Sequence, residues 1–392
     1  MSVPLRQTMA VLRHVWRQRW RKVERYPLVL MLEPLMRCNL ACAGCGKIQH
    51  PPEVLRRQLT VEQCLEAARQ CDAPVVSLPG GEPLLHPHID RIVAGLVAQR
   101  RFVYLCTNAV KLKESLPKFT PSARLAFSVH LDGPQALHDA SVCRAGVYDQ
   151  AIEGIRAARQ AGFRVTTNTT IFSHTPIEQL AELFDTCMSL GVEAMMLSPG
   201  FAYPKAPDQE HFLRAETATD RLDRLLQLPQ ARRWRFNQSP LYLQFLRGRW
   251  EMDCTPWGSP TYNIFGWQRP CYLLDEGYAE SYQELLEQTD WKSYGHRSGN
   301  AKCSQCMLHC GFEPTAVSQT LTSVPGLMAT IRAMLRPAGL PKLPAAPSAK
   351  PGAVPSATGG TPEIGRPHVG LTRAVAEPEL VTISVPGANS GR

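Results

Sequence analysis

The chain has 392 residues, with 43 Lys+Arg against 34 Asp+Glu and a formal net charge of +9. That length exceeds one average domain and admits an α/β barrel with an appendage, while the basic balance suits nucleic acid or an anionic membrane surface. No nucleic-acid-binding motif accompanies the charge, and no apolar run is long enough to span a bilayer. The 13 cysteines, in a chain without a recognisable secretory signal, point to a reducing compartment and metal work rather than a disulfide framework.

Met1 to Arg25 is basic: Arg6, Arg13, Arg17, Arg19, Arg21, Lys22 and Arg25 face one acid, Glu24. Leu5, Met9, Leu12, Trp16 and Trp20 recur at helical spacing on one face. Such a helix, over 1–26, either lies on a membrane surface or lays its stripe on the protein's own core. From Leu28 onward strands and helices alternate. Leu28–Glu33, Pro74–Leu78, Phe102–Thr107, Arg124–Leu131, Arg164–Ile171 and Ala194–Ser198 read as strands. Thr60–Cys71, with Thr60 and Gln63 at capping-box spacing, reads as a helix. So do His88–Ala98, Tyr148–Ala161 and Ile177–Leu190, the last with Thr175 as N-cap and Pro176 at N1. Six strands with crossover helices predict a parallel α/β barrel or open sheet over 27–230, with ligands collecting at the carboxyl ends of the strands.

The first such end carries Cys38-Asn-Leu-Ala-Cys42-Ala-Gly-Cys45. Three thiolates so tightly spaced do not make two zinc knuckles. On a 4Fe–4S cluster they would leave one iron open for chemistry. The alternative is a structural zinc or Fe–S site completed by a distant cysteine. The second end carries Pro79-Gly80-Gly81-Glu82-Pro83, where paired glycines allow close backbone approach and Glu82 offers a carboxylate to a ligand ammonium. Cys106 ends the third strand, in Cys106-Thr107-Asn108-Ala109. Ser128 and His130 end the fourth on one face, followed by Asp132 and Gly133. Asn168 and Thr170 share a face on the fifth. Cys64, Cys71 and Cys187 fall in helical patterns and read as packing residues.

The C-x3-C-x2-C spacing together with the G-G-E-P stretch resembles the radical SAM superfamily, and the resemblance implies a partial (β/α)6 TIM-like barrel. It implies that the cluster on Cys38, Cys42 and Cys45 binds S-adenosylmethionine and reductively cleaves it to a 5′-deoxyadenosyl radical. Gly80, Gly81 and Glu82 then correspond to the motif that binds the methionyl amine, and Ser128 to a ribose contact. Arg144 is a candidate for the methionyl carboxylate and Asn168 for a further cofactor contact. Many relatives read T-N-G where this chain has Thr107-Asn108-Ala109. An electron donor of the flavodoxin or ferredoxin kind is implied.

Past Gly200 the character changes. Of 29 aromatic residues, 14 lie between Trp234 and Tyr294. They suit either an apolar lid for a large hydrophobic substrate or an ordinary small core. Cysteines return at Cys254, Cys271, Cys303, Cys306 and Cys310, in an extension spanning 231–318. Cys254, Gly266 and Cys271 resemble the auxiliary-cluster extensions called SPASM and twitch. A second Fe–S cluster, zinc or reduced thiols are the alternatives. Residues 319–336 form a short amphipathic segment, and the Pro/Ala/Gly-rich stretch 337–392 is expected to be disordered.

The ordered strings EPLMRCNLACAGCGKIQHP, SLPGGEPLLHP, SVHLDG, SPGFAYPKAPDQEHF and CMLHCGFEPTAV narrow the likeness. They resemble the adenosylhopane synthases of hopanoid biosynthesis. That resemblance implies addition of the 5′-deoxyadenosyl radical to the alkene of diploptene, a triterpene. It implies peripheral placement on the cytoplasmic membrane face. Cys106, at a barrel-strand end, is then the candidate donor of the final hydrogen atom. The rival enzyme reading is a SPASM-type peptide maturase. The rival of another class is a non-catalytic Fe–S or zinc binding protein.

Overall fold

The computed structural model describes residues 3–202 and 205–335. The expected disordered stretch 337–392 lies outside them. One nine-stranded sheet organises the chain. Its first six strands are β1 (Val29–Leu32), β2 (Val75–Leu78), β3 (Phe102–Thr107), β4 (Leu125–His130), β5 (Arg164–Ile171) and β6 (Ala194–Pro199). They are parallel and adjacent in chain order, with helices in the connections between them. Composition drives them: β5 is β-branched at six of its eight positions, which favours the pleated backbone. Three further strands, β7 (Thr261–Asn263), β8 (Gly266–Pro270) and β9 (Asp275–Ala279), extend the sheet beyond β1. The pairing of β7 with β1 is parallel, at Met31 with Thr261. The cysteine-bearing extension thus continues the barrel's own sheet.

Between the strands the helices form where their periodicity places them. Val61–Cys71 starts on a reciprocal capping box, Thr60 accepting from the Gln63 backbone and Gln63 accepting from that of Thr60. The helix Ile177–Ser189 departs by one residue from expectation: Pro176 itself is the N-cap, without a side-chain cap. Thr175 instead turns inward, its carbonyl accepting from Arg221.

Side-chain alternation splits the sheet into two faces. Val103, Leu105, Phe127, Val129 and Val165 point outward into the main core with the helices. Val75, Phe102, Tyr104 and Ala126 point inward and form a separate cluster low in the barrel. The N-terminal helix Leu5–Trp20 covers that cluster with Ala10 and Val11, and Tyr104 donates to Gln7 at 2.9 Å. Arg17 pairs with Asp72. This helix therefore uses a face the periodicity did not single out. It docks through Gln7, Ala10, Val11, His14 and Val15, whereas Leu5, Met9, Trp16 and Trp20 remain 67%, 54%, 65% and 85% exposed.

The aromatic-rich segment forms a core and not a lid. Trp234, Tyr242, Trp267, Tyr282 and Trp291 are buried in the main apolar cluster. Their rings meet edge-on or tilted, as Phe184 with Trp234, Trp257 with Trp291, and Trp267 with Tyr282. Tyr242 donates a hydrogen bond from its hydroxyl to the Met307 carbonyl at 2.7 Å, which offsets the cost of burying it.

Candidate active site

The loop carrying Cys38, Cys42 and Cys45 leaves β1 and is held by the glycine turn after β2. Gly81 donates its N–H to Leu35 at 3.0 Å and Glu82 to Arg37 at 2.9 Å. The approach leaves no room for side chains: a Cβ on Gly81 would fall 2.0 Å from the Arg37 carbonyl oxygen, and one on Gly80 2.5 Å from that of Leu35. Gly80 also has φ +118°, which suits glycine alone. The Glu82 carboxylate is fully buried and accepts from the Leu84 N–H at 3.0 Å, the Thr107 hydroxyl at 2.9 Å and the Asn108 N–H at 2.8 Å. Burial pushes it up to about 7, and these three donors favour its charged form. Glu82 thereby pins the end of β3 to the end of β2. Asn108 carries the link onward, its side-chain amide donating to Asn39 at 2.8 Å and to the Cys38 sulfur at 3.7 Å. Ala109 sits buried at φ +63°, the left-handed conformation that glycine adopts more cheaply.

All three thiols are free and half-buried. The Leu40 N–H donates to the Cys38 sulfur at 3.4 Å. Among the described residues no three His, Cys, Asp or Glu side chains converge closely enough to hold a single metal ion. Burial raises the thiols, Cys38 to about 11, so only a bound metal would hold them as thiolates at neutral pH.

Two residues the spacing did not reveal complete the loop's support. Lys47 pairs with Glu33 at the end of β1 at 2.9 Å, both nearly fully buried. Asn263 of β7 donates to the same carboxylate at 3.4 Å, and the Lys47 ammonium lies 4.2 Å from the Tyr272 ring centroid. The buried pair ties the cysteine loop to the extension across the sheet.

On the inner face above the apolar cluster, the side chains turn polar. The Cys106 thiol meets the Ser77 hydroxyl at 3.4 Å. Register places Cys106 beside Ser128, and His130 beside Asn168. His130 Nε2 bonds Asp132 at 2.8 Å, and burial opposes, but does not cancel, the rise that this carboxylate imposes on the imidazole. Asp132 also accepts from the Ser141 hydroxyl at 2.6 Å and the Thr170 N–H at 2.9 Å, closing β4 onto β5. Ser128, Asn168 and Cys106 thus come together with the cysteine loop at one end of the barrel. Arg144 stands apart, exposed in the turn after Gln135–Ser141, and Cys143 beside it is exposed at φ +56°. Cys64, Cys71 and Cys187 are buried in helices as packing residues.

Residues 32–187 match the model of the Radical SAM superfamily, and residues 195–330 match a domain of unknown function, DUF3463. Pre-heme d1 synthase of Dinoroseobacter shibae is 31% identical over 169 residues, covering 41% of each chain. AdoMet-dependent heme synthase of Methanosarcina barkeri is 27% identical over 173 residues, covering 43% of this chain and 49% of that one. The chain therefore spans about half or less of the length of these curated relatives. The structure of Streptococcus suis SuiB bound to precursor peptide SuiA superposes with a TM-score of 0.56 at 15% identity. It covers 80% of this chain and 77% of that one, a likeness of fold. The chain carries a radical SAM domain on a partial TIM-like barrel. Two matching structures, of Streptococcus suis SuiB and of anSMEcpe, hold S-adenosylmethionine; a 4Fe–4S cluster and S-adenosylmethionine are the cofactors that the radical SAM match implies. Cys38, Cys42 and Cys45 supply a donor set that fits the cluster, with Gly80, Gly81 and Glu82 beside it.

Proposed function

We propose that this chain is a radical SAM enzyme that joins a 5′-deoxyadenosyl group to the alkene of an apolar polycycle, with diploptene as substrate and adenosylhopane as product. Bound at Cys38, Cys42 and Cys45, the cluster supplies the electron that cleaves S-adenosylmethionine. The observation that carries the reading is Cys106. It is a thiol on the inner face of the barrel, apart from the triplet, against the Ser77 hydroxyl and level with Ser128 on the next strand. Burial raises it to about 11, so it keeps its hydrogen at neutral pH. Carbon–carbon bond formation leaves an unpaired electron on a tertiary carbon. The Cys106 S–H bond is weaker than the tertiary C–H bond it would form, so hydrogen-atom transfer runs downhill. The resulting sulfur radical returns to the thiol by gaining one electron from a flavodoxin- or ferredoxin-type donor and one proton.

The N-terminal helix supports a lipid-facing enzyme. Its exposed Leu5, Met9, Trp16 and Trp20 are flanked by exposed Arg6, Arg13 and Arg19, a pattern that suits an anionic membrane surface. No helix among the described residues is long and apolar enough to cross a membrane.

The test is anaerobic incubation with S-adenosylmethionine, dithionite and diploptene, followed by mass spectrometry. Adenosylated triterpene is the expected product. Release of 5′-deoxyadenosine without any adenosylated lipid refutes the transfer and favours hydrogen abstraction, as in peptide maturation. Absence of cleavage favours a non-catalytic metal protein. Cys106→Ala is expected to cleave S-adenosylmethionine and form the carbon–carbon bond, yet give lower yield, unsaturated by-products or mixed configuration at the quenched carbon. Wild-type yield with one unchanged epimer removes Cys106 from the reaction.

A further inference from the structure

Among the described residues, every large apolar side chain that is exposed lies in one of two stretches, Leu5 to Val23 and Val324 to Met334. Exposed apolar residues scattered singly over a surface need no explanation, but two concentrated stripes do. The first stretch holds the stripe already read as lipid-facing. The second belongs to the helix Val324–Leu335, which the proposed reaction does not use.

That helix starts on Ser323, whose hydroxyl accepts from the Gly326 N–H at 3.1 Å. Its small residues face the protein. Gly326 is buried, and a Cβ on it would fall 2.5 Å from the Gln319 carbonyl oxygen. The buried Thr330 hydroxyl meets that of Thr320 at 2.9 Å, and Ala329 packs on the main core. These contacts fix which face is turned in. Val324, Leu327, Met328, Ile331 and Met334 share the opposite face and are 37% to 75% exposed. The usual arrangement of a surface helix is thereby reversed, with small residues inward and long apolar ones outward.

Charge says what covers this face. From Pro314 to Leu335 the chain has no Asp or Glu, and its one charged residue is the exposed Arg332. The sequence beyond adds Arg336, Lys342 and Lys350 before the next acid, Glu363. An apolar face flanked in sequence by cations alone suits the acyl boundary and headgroups of an anionic bilayer. The N-terminal stripe with its arginines has the same make-up.

We propose that the helix Val324–Leu335 is a second bilayer-docking element, which lays Leu327, Met328, Ile331 and Met334 into the surface of an anionic membrane. The proposal rests on the reading of a lipid-modifying enzyme and adds a separate contact to it.

The test is cosedimentation of the full-length chain with vesicles of phosphatidylcholine, with and without phosphatidylglycerol. Leu327→Ser combined with Ile331→Ser and Met334→Ser is expected to weaken binding to the anionic vesicles at least about tenfold, with the N-terminal helix intact. Arg332→Gln, which removes no apolar contact, is expected to weaken it about fivefold at low salt and much less at high salt. Binding of the triple variant at wild-type strength overturns the proposal, as does a wild-type chain that ignores anionic vesicles at low salt. A wild-type dimer in light scattering that the triple variant breaks gives the face to a second copy and overturns it too. If the triple variant melts early, Arg332→Gln decides: an unchanged affinity for anionic vesicles at low salt overturns the proposal. Adenosylation of detergent-dispersed diploptene needs no bilayer and separates the two readings. Product formed by a chain that binds no vesicles removes the docking helix and leaves the transfer reading intact.

Discussion

Gly81→Ala tests how the cysteine loop is held. The added Cβ would lie 2.0 Å from the Arg37 carbonyl oxygen and 2.4 Å from that of Met36. Both obstacles are backbone, so no rotamer change relieves the overlap, and the glycine turn must separate from the loop. Separation breaks the Gly81–Leu35 and Glu82–Arg37 hydrogen bonds, now 3.0 and 2.9 Å. Each is worth about 1 kcal/mol net, and the overpacking adds roughly 1–3 kcal/mol. The sum is about 3–5 kcal/mol, or a fall in Tm on the order of 5–10 °C at roughly 2 °C per kcal/mol for a large chain. The displaced segment ends one residue before Cys38, so iron bound after reconstitution should fall as well. Gly162→Ala is the control. That glycine has φ +81° but nothing within 4 Å of an added Cβ. It should cost about 1–2 kcal/mol of backbone strain and leave iron content unchanged. Differential scanning fluorimetry and iron assays on both variants decide the matter. A Gly81→Ala protein no less stable than Gly162→Ala, with wild-type iron, refutes the clasp.

Replacing Cys38, Cys42 and Cys45 together by Ala should abolish reductive cleavage of S-adenosylmethionine, and cleavage by that variant would remove the loop from the chemistry. The Glu313 carboxyl is raised by burial to about 7, although it accepts from the Ser239 N–H at 2.7 Å. A carboxyl raised on folding stabilises fully below its ordinary range, and that contribution is lost as pH climbs to about 7. Stability should therefore decline from pH 4.5 to 7, and Glu313→Gln should flatten that decline in denaturant titrations. An unchanged slope would place the cause elsewhere. Trp16→Ser with Trp20→Ser should weaken binding to anionic liposomes, with the remaining binding falling as salt rises, while Tm holds. Equal binding by sedimentation argues against a membrane role. Deleting the whole helix is a poorer experiment, because it would also uncover Phe102 and Tyr104 at roughly 2 kcal/mol each.

Much of the site was legible because its signals are local. Cysteine spacing, the paired glycines, the Thr60–Gln63 box and the two-residue alternation of β3 to β5 all act within a few residues, where covalent geometry leaves few options. They put Ser128 with His130, and Asn168 with Thr170, on one face of their own strands, and Cys106 at a strand end, while the sheet register sets them side by side. Contacts across long stretches of chain carry no such signal. Nothing local announces that Lys47 pairs with Glu33, that Asn263 from the extension reaches the same carboxylate, or that Glu82 is clamped by Thr107 and Asn108. The aromatic segment shows the same limit: composition cannot say whether Trp267 and Tyr282 cover a cavity or fill one, because burial depends on which surfaces meet. The N-terminal helix divides the two sources of information. Its periodicity named the stripe Leu5, Met9, Leu12, Trp16 and Trp20, but the fold left all of it except half-buried Leu12 to solvent and docked Ala10 and Val11 beneath the barrel. A helix has more than one face, and only the shape of the surface it meets selects the one that is buried.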